Sequence, residues 1–185
     1  MQQEEKIKSI IDLHLKRWID NGLNNLPAPI ESEMIDPNQK TNDEWRTWFP
    51  IPSQVEDTDI IEIENRIGYS LPKDYITFLK HKHFYELHIN EASFCSHPIN
   101  SWKAEFFNMI YSGYPTEFLI DKGYIPFANW SDWGLLCFNT NEANNNYPIV
   151  LWDHEYADSV QEKAYSFYEL IVQLDEEDHK SFLNS

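Results

Sequence analysis

Residues 59–79 read DIIEIENRIGYSLPKDYITFL, and they decide the fold because a helix, its stop and the start of a second helix follow one another in order. Asp59 and Glu62, three apart, have the spacing of a capping box, in which each side chain satisfies the other residue's free amide, so a helix is predicted to start there. Ile60, Ile63 and Ile67 form its buried stripe. Gly68 enters the left-handed conformation without a Cβ clash and ends it. Leu71-Pro72 then opens a second helix, since proline at the first helical position forfeits no hydrogen bond. Tyr75, Phe78 and Leu79 make its apolar face.

Working outward, Ile7, Ile10, Ile11, Leu15, Trp18 and Ile19 share one stripe of a helix predicted from about Glu4 to Asp20 and stopped by Asn21-Gly22. From Asn21 to Asp43 the chain turns to Asn, Pro and acids, and Pro27, Pro29 and Pro37 limit regular structure. This reads as a linker or wrapping arm, whose Leu23, Leu26, Ile30, Met34 and Ile35 favour partial attachment to the main body. Downstream of Lys82, FYELHINEASF alternates loosely as an edge strand does, and FNMI looks helical. From Tyr124 the runs YIPFA, LLCFN and YPIVLW, separated by NWSDWG and TNEANNN, predict an antiparallel meander of three strands. Ser166 and Glu169 form another capping pair ahead of a closing helix of roughly ten residues, and the tail DEEDHK is expected to be solvated.

Helices, then strands, then a helix make an α+β class: an antiparallel β-sheet with helices packed on one face, plus the N-terminal helix and arm. Residues 1–44 are assigned to helix and arm and 45–185 to the domain.

Composition narrows the function. With 42 % hydrophobic and 15 % aromatic residues, the 185-residue chain is expected to bury a core. Its net charge of −17 repels phosphate backbones, which argues against direct nucleic-acid binding. No run approaches the roughly 18 apolar residues of a membrane helix, and MQQEEKIKSI lacks a secretory layout, so no membrane association and a cytoplasmic location are expected. Cys95 and Cys137 stand alone, without a CxxC partner.

His81, His83, His88, Cys95 and His97 fall within 17 positions, but the spacing is too irregular to point to zinc, and no metal or cofactor is expected. Asp153, His154 and Glu155 follow the last predicted strand and Asp132 sits in a turn, so acids and a His can converge; loop acids that cap or solvate are the simpler reading. GxSxG, HExxH and paired Cys-His signatures are absent, and no catalytic residue is assigned. The aromatic set Trp130, Trp133, Trp152 and Tyr156 is more informative. Trp130 and Trp133 are placed in a turn beside acids, either as partner-binding residues or as a lid on the core. From Gly123 onward the net charge is −9 over 63 residues, against −3 for residues 59–122, which marks the C-terminal part as a face for a basic partner. The partner-binding candidates are Trp130, Asp132, Trp133, Asp153, Glu155 and Tyr156.

The chain resembles the SUKH superfamily, in particular the Smi/Knr group named after a fungal regulator of cell-wall glucan synthesis. The resemblance lies in IxxIExxIGxxLPxDYxxFL, the early Trp45, and later YIPFANWSDWGLLCFN, YPIVLWDHE and AYSFYELIVQL. Where many members place Asn-Gly after the second helix, this chain reads HKHFYELHI, so that helix could run on. The resemblance implies an α+β domain without catalysis. It implies a bacterial immunity protein that binds and neutralises a toxin, often a nuclease, of a polymorphic toxin system, or alternatively a scaffold or adaptor like the fungal regulators.

Overall fold

The computed structural model describes residues 1–27, 29–38, 44–142, 146–156 and 159–183, with side chains through Lys180. Ala28 and residues 39–43 of the arm, and residues 143–145 of TNEANNN, lie outside the described residues.

Helix α1 (Gln2–Asp20) carries Glu4 and Glu5 in its first turn and Arg17 in its last, charges that complement the helix dipole. Ile7, Ile10, Ile11 and Leu15 are buried as their spacing predicted, and His14 is buried with them. Trp18 and Ile19 are only half-buried. Gly22, at φ 67°, turns the chain out of the helix.

The described residues of the arm are attached to the domain at several points. β1 (Asn25–Leu26) pairs antiparallel with β2 (Arg46–Thr47), and Ile35 bridges to Trp48. Ile30 and Met34 are buried in the core, whereas Leu23 remains exposed. Between them, the Glu31 carboxylate accepts from the amides of Ile99 (2.7 Å) and Asn100 (2.9 Å), and the Glu31 amide donates to the Tyr85 hydroxyl (2.8 Å).

β3 (Ile51–Pro52) leads into α2 (Asp57–Ile67), two residues earlier than predicted. The capping pair is Glu56 with Asp59, the Glu56 amide donating to Asp59 Oδ2 at 2.9 Å. Asp59 and Glu62, the expected pair, instead hold Lys103 at 3.0 and 2.6 Å. Ile60, Ile63 and Ile67 are buried, and Gly68 ends the helix at φ 78°. Pro72 is the N-cap of α3 (Lys73–Leu79) rather than its first residue. α3 stops at Lys80 because Lys82–His83 (β4) pairs with β3, so the helix does not run on.

The segment FYELHINEASF is a hairpin, β5 (His88–Ile89) with β6 (Ala92–Phe94), turned through Asn90 at φ 51°. After α4 (Trp102–Tyr111) come β7 (Tyr124–Trp130), β8 (Gly134–Asn139), β9 (Ile149–Asp153) and β10 (Val160–Ala164). Among the described residues the sheet is thus a six-stranded antiparallel meander in sequence order, where a three-stranded meander and one loose edge strand were expected. β5 and β6 are too short, and β10 too polar (VQEKA), to stand out as apolar runs. α5 (Phe167–Leu183) is 17 residues, longer than predicted. At its start the Ser166 hydroxyl accepts from the Glu169 amide as the capping pattern predicts, whereas the Glu169 carboxylate accepts from the amide of Tyr165, one residue before the expected Ser166. Its second half is the DEEDHK segment, which is helical rather than a free tail, with Asp175 buried.

The helical face of the sheet carries the main core. Tyr75, Phe127, Phe138 and Phe167 meet there with ring centroids 4.3–6.2 Å apart. α1 packs on α3 and α5 and completes this layer. Leu135, Cys137, Val150 and Trp152 point to the other face, where Leu119, Tyr114 and Phe118 from a segment of 3-10 turns cover them. Both faces being covered explains why LLCF is apolar without alternation.

Candidate functional site

The β7–β8 turn and the end of β9 form one edge of the molecule because Gly134 pairs with Asp153. Ser131, at φ 47°, lifts the turn, and its hydroxyl donates to the Glu91 carboxylate of the β5–β6 turn. The His154 amide donates to the Trp133 carbonyl at 3.3 Å, and the Glu155 amide to Asp153 Oδ1 at 2.8 Å, an Asx turn that aims the carboxylate. Between these loops lies an open hollow of about 460 Å³ lined by Asp132, Trp133, Asp153, His154 and Glu155. Asp132 also borders a second hollow of about 520 Å³, which includes His88, Glu91 and Ser131. Among the described residues no Lys or Arg lines either hollow.

Four of the six sequence-selected residues therefore share one hollow. Trp130 is the last residue of β7 rather than a turn residue; it packs against the main core, with the Lys163 ammonium 4.2 Å from its ring centroid. Trp133 combines both readings, half-buried against the core while lining the hollow. Tyr156 ends the 3-10 turn His154–Tyr156, 67 % exposed, beyond the hollow. Trp152 is buried on the opposite face against Tyr114, centroids 5.7 Å apart. Glu91 was not singled out from sequence, and His154 was noted beside Asp153 and Glu155 but left out of the partner-binding candidates. Glu91 reaches the edge only through the pairing of Ala92 with Trp130, which no local signal announces.

The histidine-rich segment disperses. The His83 ring accepts the Gln54 amide at Nε2 (2.9 Å), so Nδ1 carries the proton and donates to the His97 carbonyl (3.0 Å). His97 Nε2 donates to the Leu79 carbonyl at 2.8 Å, and the two rings meet edge-on with centroids 4.8 Å apart. Burial lowers the His83 pKa and pushes His97 down to about 3, so both are neutral staples between segments. His81 pairs with Asp12, and His88 stacks on Trp18. Burial also raises both thiols, Cys95 to about 12, which leaves them protonated near neutrality and poor nucleophiles. Among the described residues no three His, Cys, Asp or Glu side chains are grouped to hold a metal ion.

The arrangement thus presents carboxylates and an aromatic on a concave edge, suited to receiving cationic groups of another molecule. A family model described as SMI1-KNR4 cell-wall matches residues 57–171, more than half of the chain. The chain belongs to the SMI1-KNR4 family of the SUKH superfamily. Within the matched residues fall α2, α3, α4, all six strands of the main sheet and every residue of the hollow, whereas α1, the arm and residues 172–183 of α5 lie outside the match. Comparison with curated proteins finds no match. Among the described residues no helix is long and apolar enough to cross a membrane.

Proposed function

We propose that this SMI1-KNR4 domain is a non-catalytic, cytoplasmic immunity protein that binds a basic toxin domain and neutralises it. The observation that carries the reading is the hollow at the β7–β8 and β9 ends, which Asp132, Asp153 and Glu155 line together with Trp133 and, among the described residues, no Lys or Arg, on a chain of net charge −17. A nuclease must hold phosphates on a cationic surface, and an acidic, concave edge occupies that surface by complementary potential. Trp133, packed against the core on one side, supplies an aromatic to the lining of the hollow. The family description, which names the cell wall, favours a second reading: a scaffold that holds regulatory partners of wall synthesis.

The test is coexpression with the toxin domains encoded beside this gene. Protection of the host, lost when Asp132, Asp153 and Glu155 are all replaced by Ala, supports immunity. Absence of both binding and protection against every neighbouring toxin domain contradicts it and leaves the scaffold.

A further inference from the structure

The second face of the sheet changes character along one row of side chains. Trp152, Leu135, Asn129 and Ser93 are successive register partners from β9 across to β6. Trp152 and Leu135 are apolar and lie under the segment of 3-10 turns, with the Tyr114 ring against Trp152. Asn129 and Ser93 are polar and half-buried, while their strand neighbours Ala92, Phe94 and Ala128 are buried in the main core on the other face. The apolar cover therefore ends at Tyr114, and the face over β6 and β7 gives way to hollows.

These hollows are continuous. One of about 410 Å³ lies over Cys95 and Ser96 and is walled by Glu105, Asn108 and Met109 of α4. It shares Tyr114 and Asn129 with the 520 Å³ hollow beside Glu91, which shares Asp132 with the hollow of Trp133, Asp153 and Glu155. Together they make one furrow from α4 to the end of β9. Three residues of β6 and three interstrand steps separate its ends, a contour of roughly 24 Å, or about seven extended residues. Glu105, Glu91, Asp132, Asp153 and Glu155 line it and, among the described residues, no Lys or Arg does. The side-chain amides of Asn108 and Asn129 form no hydrogen bond within the described residues, so each offers a donor and an acceptor to an occupant.

We propose that this furrow receives an extended, Lys- or Arg-bearing polypeptide segment of the partner, its cations on the carboxylates and its main chain against Asn129 and Asn108. The inference rests on the reading of the acidic edge as a partner-binding surface and extends that surface across β7 and β6 to α4. Carboxylates along the whole run select a cationic occupant. The free amides select an extended chain, whose main-chain groups are unpaired, over a helix, whose own groups are satisfied internally.

The probe is a blocked seven-residue peptide of alternating Lys and Ser, carrying four positive charges, titrated into the full chain and followed by amide NMR at about 50 mM salt. Shifts at Ser93, Cys95, Asn108, Asn129 and Asp132 are expected to saturate together. The double variant Glu105→Gln, Asn129→Ala is expected to bind the peptide on the order of threefold more weakly or worse. Shifts confined to the Asp132–Glu155 hollow, scattered over other acids such as Glu176 and Glu177, or absent overturn the proposal, as does unchanged affinity in the variant. Spermine carries the same four charges without peptide groups, and equal affinity with the same shift map for it also overturns the proposal. The probe needs no toxin, so the two readings fail separately. Peptide binding along the furrow with no neighbouring toxin neutralised sinks the immunity reading alone. Toxin binding that depends on Asp132, Asp153 and Glu155 but not on Glu105 or Asn129 sinks the furrow alone.

Discussion

His97 shows how one buried side chain sets a pH limit. Its imidazole is pushed to about 3 in the fold against an ordinary 6.5, so the unfolded chain takes up the proton first. The stabilisation is complete above pH 6.5 and is lost progressively as pH falls toward 3. By pH 5 His97 alone removes about 2 kcal/mol, and His14, His83 and His88, all lowered by burial, add to the loss. Urea denaturation between pH 7 and 5 checks this; a flat stability over that interval contradicts the neutral, buried assignment. Gly134 is a second such position, for steric reasons. A Cβ there would lie 2.8 Å from Leu151 Cδ1 and 3.0 Å from the Trp152 carbonyl oxygen. Gly134→Ala is therefore expected to cost about 1–3 kcal/mol by overpacking and to shift the Asp132–Trp133 turn away from Asp153, readable as a lowered melting temperature.

At the scale of elements, the arm is fixed through Glu31, whose carboxylate bridges two amides just ahead of α4. Replacing Glu31 by Ala removes the carboxylate from both amides, of which the Ile99 amide is partly buried, and is expected to cost about 1–3 kcal/mol, with faster proteolysis confined to the arm; unchanged cleavage would show that Ile30 and Met34 suffice. What was legible in the sequence follows the same division between local and long-range forces. The α2–Gly68–α3 run and the β7, β8 and β9 strands are announced by periodicity, a left-handed glycine and a proline, all local signals. The strand VQEKA and the two-residue β5 gain their conformation from neighbours in the sheet and carry no apolar pattern of their own. Asp175 and its neighbours look like a solvated acidic tail until α1 folds back on them. Of the candidate site, Asp132, Trp133, Asp153 and Glu155 were legible because they flank predicted strands. Trp130 was misplaced because the strand runs two residues further than YIPFA, and Glu91 depends on a hairpin register that only the assembled sheet defines.

At the scale of the whole molecule, α1 and the arm share the core of the family domain. Ile7, Ile10, Ile11 and Leu15 are each at most 2 % exposed, and burying one such side chain is worth about 1.5–3 kcal/mol. Deleting residues 1–20 is expected to uncover α3 and α5 and yield a protein that aggregates or melts at a much lower temperature; a truncated chain with unchanged melting would contradict the shared core. The net charge of −17 and the acidic edge are the features on which the proposal of a cationic partner rests. The most direct test is the affinity of wild-type protein and of the Asp132→Ala, Asp153→Ala, Glu155→Ala triple variant for any toxin domain found to be encoded beside it, at about 50 and about 500 mM salt, where the screening length differs roughly threefold. The account predicts tight wild-type binding that weakens strongly with salt, and a triple variant with at least tenfold weaker binding and a reduced salt dependence. Equal affinity and equal salt dependence for the two proteins would contradict the assignment of this edge as the partner-binding surface.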